Sequence, residues 1–459
     1  MNAKLFGTDG VRGLANVHPM TAEMALALGQ AIAYVFRGRS GGGGDHRIVI
    51  GKDTRLSGYM FEDALAAGIC SMGVNVIQIG PMPTPALAFL TADMRCDAGV
   101  MISASHNAYQ DNGIKFFAQD GFKLPDEIEA RIESLIDSEE LRAGRASAGE
   151  LGQARRIDDA AGRYVVFLKN TFPMDLTLNG LRVVLDCANG AGYKVGPTVL
   201  WELGAELFTL GCDPNGRNIN DGCGSLYPQK LADRVREVRA DVGIALDGDA
   251  DRLLLVNEKG EEVDGDMILG LCAKDMKERK CLKGQGVVST VMSNMGLEKV
   301  LEAEGLHLVR TQVGDRYVVE AMRREGYNLG GEQSGHMIFL DHSRTGDGLM
   351  SALQVLAIMA RGGRRLSELT ADFQRFPQVL HSIRVAEKKP LESLPSMQAA
   401  IQQVESELAD RGRVLIRYSG TEPVVRIMVE AEDESRVQSF SQHLIEELKR
   451  ALGAEGESR

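Results

Sequence analysis

Short apolar runs alternate along most of this chain with stretches in which apolar positions return every three or four residues, the pattern of strands spaced by helices. In the first third, strands are expected at 46–51, 73–79 and 97–102 and helices at 21–36, 59–72 and 83–94. The succession returns with strands at 181–185, 205–210 and 241–246 and helices at 196–203 and 229–239. It returns again with strands at 286–290 and 306–311, helices at 296–304 and 317–325, and a closing stretch at 327–336. Strands spaced by helices of roughly 10–15 residues form βαβ units, so three similar α/β domains with largely parallel sheets are expected. From 372 onward the order changes to a strand at 381–385, a helix at 396–408, the segment 412–423, a strand at 425–430 and a helix at 434–452, a smaller α+β module. The expected domain limits are 1–160, 161–262, 263–374 and 375–459.

Composition narrows the class. A chain of 459 residues that is 44% hydrophobic and 25% charged exceeds what one core supports. Its 52 basic and 64 acidic side chains leave a net charge of −12, which argues against nucleic acid or an anionic membrane as a partner. No window reaches the ~18 apolar residues of a membrane span, and the first residues lack the apolar run of a secretory signal, so a cytoplasmic protein is expected. Seven cysteines without a Cys-x-x-Cys pair read as reduced thiols. The glycine-rich run 38–44 reads as a surface loop, and the tail beyond 453 as frayed.

Each repeat closes on a polar loop. After the strand at 97–102 comes Ser-Ala-Ser-His-Asn at 103–107, either an ordinary strand exit or a ligand loop at a strand's C-terminal end. Asp247, Asp249 and Asp251 alternate with Gly248 and Ala250 directly after an apolar strand. Like charges massed this closely call for a cation, and oxygen-only ligands select Mg²⁺ or Ca²⁺. Glu332 and Ser334, framed by glycines, suit the hydroxyls of a sugar or form a plain turn. Near the N-terminus, Arg12 sits on a glycine-flanked loop from which it could reach an anion. In the last module Arg417, Ser419, Gly420 and Thr421, with Arg426 on the next strand, supply the guanidinium forks, hydroxyls and free N–H groups that a phosphate dianion needs. Together these loops describe phosphoryl transfer on a phosphosugar, with Ser105 as a nucleophile or as a resident phosphoserine.

Taken in order, six motifs resemble the α-D-phosphohexomutase superfamily over nearly the whole chain: Phe-Gly-Thr-Asp-Gly-Val-Arg-Gly at 6–13, Ser-Ala-Ser-His-Asn at 103–107 with Asp-Asn-Gly-Ile-Lys at 111–115, Asp-Gly-Asp-Ala-Asp-Arg at 247–252, Gly-Glu-Gln-Ser-Gly-His at 331–336, Thr-Gly-Asp-Gly at 345–348, and Arg-Tyr-Ser-Gly-Thr-Glu-Pro at 417–423. Gln333 is similar to the glucosamine-type members, where the phosphomannomutase/phosphoglucomutase type often has methionine. The resemblance implies three mixed-sheet α/β domains carrying in turn a phosphoserine loop, a metal loop and a sugar loop, plus a smaller C-terminal phosphate-binding α+β domain, in a heart-shaped four-domain arrangement. It implies interconversion of glucosamine 6-phosphate and glucosamine 1-phosphate through a 1,6-bisphosphate, towards UDP-N-acetylglucosamine and cell-wall synthesis. The alternative is a phosphomannomutase/phosphoglucomutase of the same superfamily.

By the same resemblance Ser105 is the phosphoserine, and Asp247, Asp249 and Asp251 hold Mg²⁺ together with its phosphate. Glu332 and Ser334 bind sugar hydroxyls, while Arg417, Ser419, Gly420, Thr421 and Arg426 grip the phosphate that is not being transferred. Lys115 moves protons, and Arg12, His106, Arg252 and His336 shape the pocket. Glucosamine 1,6-bisphosphate or glucose 1,6-bisphosphate is the implied activator, a phosphosugar the implied partner, and a homodimer is admitted. Where the superfamily usually has proline after Ser-His-Asn, this chain has Ala108, which leaves φ free and predicts a less rigid loop. Closure of the last domain is expected on a hinge near 375–377. An aspartyl-phosphate phosphatase using Asp247, and a phosphosugar sensor without turnover, are the readings from other classes.

Overall fold

Each of the three apolar repeats folds into its own sheet, and the sheets share one strand order. The structure is a computed structural model that describes residues 5–7, 9–37, 46–386, 388–418 and 423–452. The run 38–44, the tail beyond 453, and Ser419, Gly420 and Thr421 lie outside the described residues.

The first sheet contains β1 (Val11–Leu14), β2 (Arg47–Lys52), β3 (Asn75–Pro81), β4 (Ala98–Ile102), β5 (Asp111–Ala118) and β6 (Ala154–Arg156), in the order β1-β5-β4-β2-β3-β6. The second contains β7 (Arg182–Asp186), β8 (Glu206–Leu210), β9 (Val242–Leu246), β10 (Leu253–Asn257) and β11 (Glu262–Val263), in the order β11-β10-β9-β7-β8. The third contains β12 (Gly286–Thr290), β13 (His307–Thr311), β14 (Leu329–Gly331) and β15 (Met337–Phe339), in the order β13-β12-β14-β15. One four-strand plan therefore recurs: β5-β4-β2-β3, then β10-β9-β7-β8, then β15-β14-β12-β13. The central strands β4, β9 and β12 are buried along their whole length, as expected of strands covered on both faces by helices.

The sheets are mixed, as the family resemblance implies, rather than largely parallel as the periodicity alone suggests. β2 runs parallel to β3 and β4, and β7 to β8 and β9, but β5, β10 and β15 each turn back antiparallel on the strand before them. The reason is loop length. The connections 103–110, 247–252 and 332–336 are too short for a parallel crossover, which needs about a dozen residues or more. Each chemical loop is thus the bend of a β-loop-β hairpin and is held at both ends.

The described chain resolves into two compact units, 1–290 with 309–371 and 291–308 with 372–459. In the second, β16 (Gln378–Arg384), β17 (Gly412–Tyr418) and β18 (Val424–Ala431) form an antiparallel sheet in the order β16-β18-β17. Its core is built by Val425, Ile427 and Val429 on one face of β18, with Val404 and Leu408 of the helix Pro395–Leu408 and Val437, Leu444 and Leu448 of the helix Glu434–Leu452. The alternate residues of β18 and β17, Arg426 and Arg417 among them, therefore point to the other face. Among the described residues no helix is long and apolar enough to cross a membrane.

Candidate active site

The first and second sheets bring their hairpin bends together. Ser105 lies at the bend after β4 in a left-handed backbone conformation, φ 51°, which costs an L-residue about 1–3 kcal/mol and persists only where its surroundings over-determine it. Its N–H donates to Ser103 Oγ at 2.9 Å, and Ser103 Oγ in turn donates to Asp53 Oδ2 at 2.7 Å. The Ser105 hydroxyl donates to Asp247 Oδ2 at 2.6 Å, with His106 Nδ1 3.2 Å from the same oxygen. Gly248 explains how the two bends approach so closely. A Cβ there would lie 2.5 Å from the Ser105 carbonyl oxygen, so a side chain would push the two bends apart.

Asp247, Asp249 and Asp251 each turn a carboxylate oxygen into one group whose ligand atoms all lie within 4.8 Å of one another. All three are buried. Thr84 Oγ1 donates to Asp249 Oδ2 at 2.6 Å, and the Arg252 N–H donates to Asp247 Oδ1 at 3.1 Å. Asp249 Oδ1 and Asp251 Oδ1 are buried without a hydrogen-bond partner. An unpaired buried carboxylate oxygen is costly, and two of them in an oxygen-only set fit a hard divalent cation such as Mg²⁺. The three aspartates singled out in the sequence thus form one buried, oxygen-only donor set.

A chain of opposite charges surrounds this group. Lys115 on β5 lies 2.9 Å from Asp249, 3.2 Å from Asp9 and 3.8 Å from Asp251. Asp9 also pairs with Arg12 and lies 2.5 Å from Lys123, which reaches Asp315 at 2.7 Å. His336 closes the ring, with Nδ1 3.6 Å from Asp251 and Nε2 3.4 Å from Asp315. Burial disfavours the charged form of Lys115, but Asp249, Asp9 and Asp251 outweigh it and hold the side chain firmly as the ammonium. Burial likewise opposes the imidazolium of His336, yet Asp251, Asp315 and Glu332 raise its pKa to about 9. Asp251 is held well below the carboxylate range, burial being overcome by Lys115, His336 and Arg252. Asp247 goes the other way, pushed up by burial and by the charges of Asp251 and Asp249. His106 falls to about 4 through burial and the nearby Arg252 and Arg12, so it is neutral at pH 7. Arg12 Nε and Arg252 Nε are both buried without a hydrogen-bond partner, Arg252 Nε lying 3.9 Å from Asp251 Oδ1, two donors suited to an anion.

Glu332 is half-buried in the bend between β14 and β15, where Oε1 accepts the Gly314 N–H at 3.2 Å and Oε2 accepts the Ser334 hydroxyl at 3.4 Å; Ser334 itself is exposed. In the other compact unit Arg417 and Arg426 face each other directly across β17 and β18. Burial and the neighbouring Arg426 charge lower the pKa of Arg417. The structure therefore gathers Arg12, Ser105, His106, Lys115, the three aspartates, Arg252 and His336 into one charged centre. Asp9, Thr84, Lys123 and Asp315 belong to that centre too, and sequence reading did not single them out. Asp9 lies inside the quoted 6–13 motif, but the other three carry no local signal.

This chain belongs to the phosphoglucomutase/phosphomannomutase family: its α/β/α domain I matches residues 3–143, domain II 162–260, domain III 264–376 and the C-terminal domain 380–447. The phosphohexomutase resemblance read from the six motifs thus holds across all four domains. Within the family, the phosphoglucosamine mutase of Syntrophotalea carbinolica is 60% identical over 99% of this chain and 99% of its own. That of Pelobacter propionicus is 60% identical over 98% and 99%. In fold, a phosphoglucomutase/phosphomannomutase family protein from Burkholderia thailandensis superposes with a TM-score of 0.79 at 24% identity, over 98% of each chain.

Proposed function

We propose that this chain interconverts glucosamine 6-phosphate and glucosamine 1-phosphate, with Ser105 as the residue that lends and recovers the phosphoryl group. The observation that carries the reading is the Ser105 hydroxyl, 2.6 Å from Asp247 within the three-carboxylate group, in a chain 60% identical over its length to phosphoglucosamine mutases. In the first step the bond from phosphorus to Ser105 Oγ breaks and one to the free sugar hydroxyl forms, giving glucosamine 1,6-bisphosphate. After the bisphosphate turns end for end, the reverse step returns the other phosphoryl group to Ser105. Each transfer releases one hydroxyl proton and consumes one. Lys115, an ammonium among Asp249, Asp9 and Asp251, gives its proton to the oxygen leaving phosphorus and recovers one from the attacking hydroxyl.

Asp247, Asp249 and Asp251 would hold Mg²⁺ with an oxygen of the Ser105 phosphate, and the cation would offset charge on the transferring group. Arg12 and Arg252, whose buried Nε atoms lack a hydrogen-bond partner, would donate to that group's oxygens. Glu332 and Ser334 read sugar hydroxyls. Arg417 and Arg426, with Ser419, Gly420 and Thr421, bind the phosphate that stays behind. Free glucosamine 1,6-bisphosphate or glucose 1,6-bisphosphate would prime Ser105.

The second reading, a phosphomannomutase/phosphoglucomutase, is favoured by the family's own breadth. Turnover on glucosamine, glucose and mannose 6-phosphates separates the two. The proposal expects kcat/KM to be highest for the amino sugar, and a higher value on mannose or glucose would reassign the substrate.

A further inference from the structure

We propose that Arg55 and Asn220 act as positioning residues for Ser105, gripping the carbonyls of its loop from two sides and so fixing where its hydroxyl points. This inference rests on Ser105 being the phosphoryl carrier. Arg55 is fully buried, and every N–H of its guanidinium is engaged. Nε donates to Asp53 Oδ2 at 2.7 Å; Nη1 donates to the Ala108 carbonyl and, at 3.0 Å, to that of Asp111; Nη2 donates to the carbonyls of Ser105 and Asn107, both at 2.9 Å. A guanidinium has five donors in one rigid plane; three of them go to carbonyls of the bend that carries Ser105 and a fourth to that of Asp111, where β5 begins. Such a fork has no slack left with which to follow a drifting loop.

The second sheet contributes the other jaw. Asn220, in the connection between β8 and β9, donates from Nδ2 to the carbonyls of Ser105 at 2.9 Å and Asn107 at 3.0 Å, two of the four that Arg55 holds. Asn220 is itself left-handed, φ 58°, and its N–H is anchored on the Ala188 carbonyl at 2.9 Å. Asp53 completes the arrangement. Its Oδ2 accepts from Arg55 Nε and from Ser103 Oγ, and Ser103 Oγ accepts the Ser105 N–H. Both backbone polar groups of Ser105 are thereby tied to one buried ion pair, and its unfavourable φ is imposed rather than relaxed. No substrate atom need touch Arg55 or Asn220 for them to matter, since misplacing a reacting atom by about 1 Å can cost on the order of 100-fold in rate.

The test uses the full-length protein with Mg²⁺ and glucosamine 6-phosphate, comparing wild type, Arg55→Lys and Asn220→Gly. Glycine is chosen at 220 because it accepts positive φ. The inference expects kcat to fall on the order of 100-fold for Arg55→Lys and roughly 10-fold for Asn220→Gly, with KM within about threefold of wild type. Thermal unfolding checks that each variant is folded. A buried lysine can unfold the chain, and if Arg55→Lys does so, Asn220→Gly decides alone. A role confined to holding the fold would leave kcat of the folded protein unchanged, so wild-type kcat in the folded variants overturns the inference. Mass analysis of the Ser105 peptide after bisphosphate treatment accompanies each protein. A wild type without phosphate on Ser105 refutes the parent reading, whereas a phosphorylated wild type beside fully active variants refutes only this one.

Discussion

Two charged regions of this protein are built on opposite terms. Around Asp247, Asp249 and Asp251, nearly every charge has its opposite within a few ångströms: Lys115 at 2.9 Å from Asp249, His336 at 3.6 Å from Asp251, Lys123 at 2.7 Å from Asp315. Across β17 and β18 the Arg417–Arg426 rung sets like charges opposite one another, and among the described residues neither guanidinium is bonded to a carboxylate. The contrast is sharpened by a nearby rung of the same hairpin, where Arg413 faces Glu430 and binds it at 2.6 Å. Arg413 is thus paired, whereas Arg417 and Arg426, the two assigned to a phosphate, are not bonded to a carboxylate among the described residues. The lesson is a division of labour. The first region is neutralised in advance and so holds its geometry without ligand, while the second keeps its charge available for an incoming dianion.

The comparison can be broken at either end. The largest effect is expected from Lys115→Met, which strips the carboxylates of their main cation. Leaving buried charges uncompensated costs about 3–5 kcal/mol, so denaturant unfolding without Mg²⁺ should show a loss of that order, and added Mg²⁺ should recover part of it. An unchanged midpoint would mean the carboxylates are not charged as described.

Asp347 supplies the next test, because it is a buried carboxyl of the same unit held by hydrogen bonds instead of a bonded cation. It caps the helix Gly348–Gly362 through the Met350 N–H at 3.0 Å and accepts the Tyr164 hydroxyl at 2.7 Å. Burial, only partly offset by these bonds, pushes its pKa up to about 6. A carboxyl raised in the folded state binds its proton more tightly there than when unfolded. The protein is therefore favoured at acid pH and loses stability as pH rises from the ordinary carboxylate range through about 6, by up to roughly 2–3 kcal/mol. Asp347→Asn should flatten that part of the stability–pH curve relative to wild type, and two parallel curves would contradict the assignment.

The smallest stability change is expected at the arginine rung, and with the opposite sign. Arg426→Gln relieves a like-charge pair and should stabilise by about 0.5 kcal/mol, while KM for the sugar phosphate rises roughly 10- to 100-fold through loss of a charged hydrogen bond. A variant that is destabilised and binds normally would move Arg426 from binding into structure.

Much of this was readable from the chain, for identifiable reasons. The repeated alternation of strand and helix patterns gave three like domains, because continuous apolar runs such as Val242–Leu246 become strands buried on both faces. β5 was not separated out because buried Asn112 and Lys115 interrupt its apolar pattern. Lys115 serves the site at the expense of the signal, while Asn112 bonds Ser57. Lys123 and Asp315 were invisible for a different reason: each is a lone charge far from the other in sequence, and only folding sets them 2.7 Å apart. Ala108 lies beside a restraint that its own loop does not encode. Proline's restraint on φ is absent there, and Arg55, distant in sequence, donates to the Ala108 carbonyl and its neighbours from the side.

The most direct measurement is mass spectrometry of the peptide containing Ser105, taken before and after incubation with glucose 1,6-bisphosphate and again after a chase with glucosamine 6-phosphate. The account predicts one phosphoryl group gained on Ser105 with the bisphosphate and passed to the sugar in the chase. A phosphoryl group found on Asp247, or a Ser105 peptide that stays unmodified while the protein turns over, would contradict it.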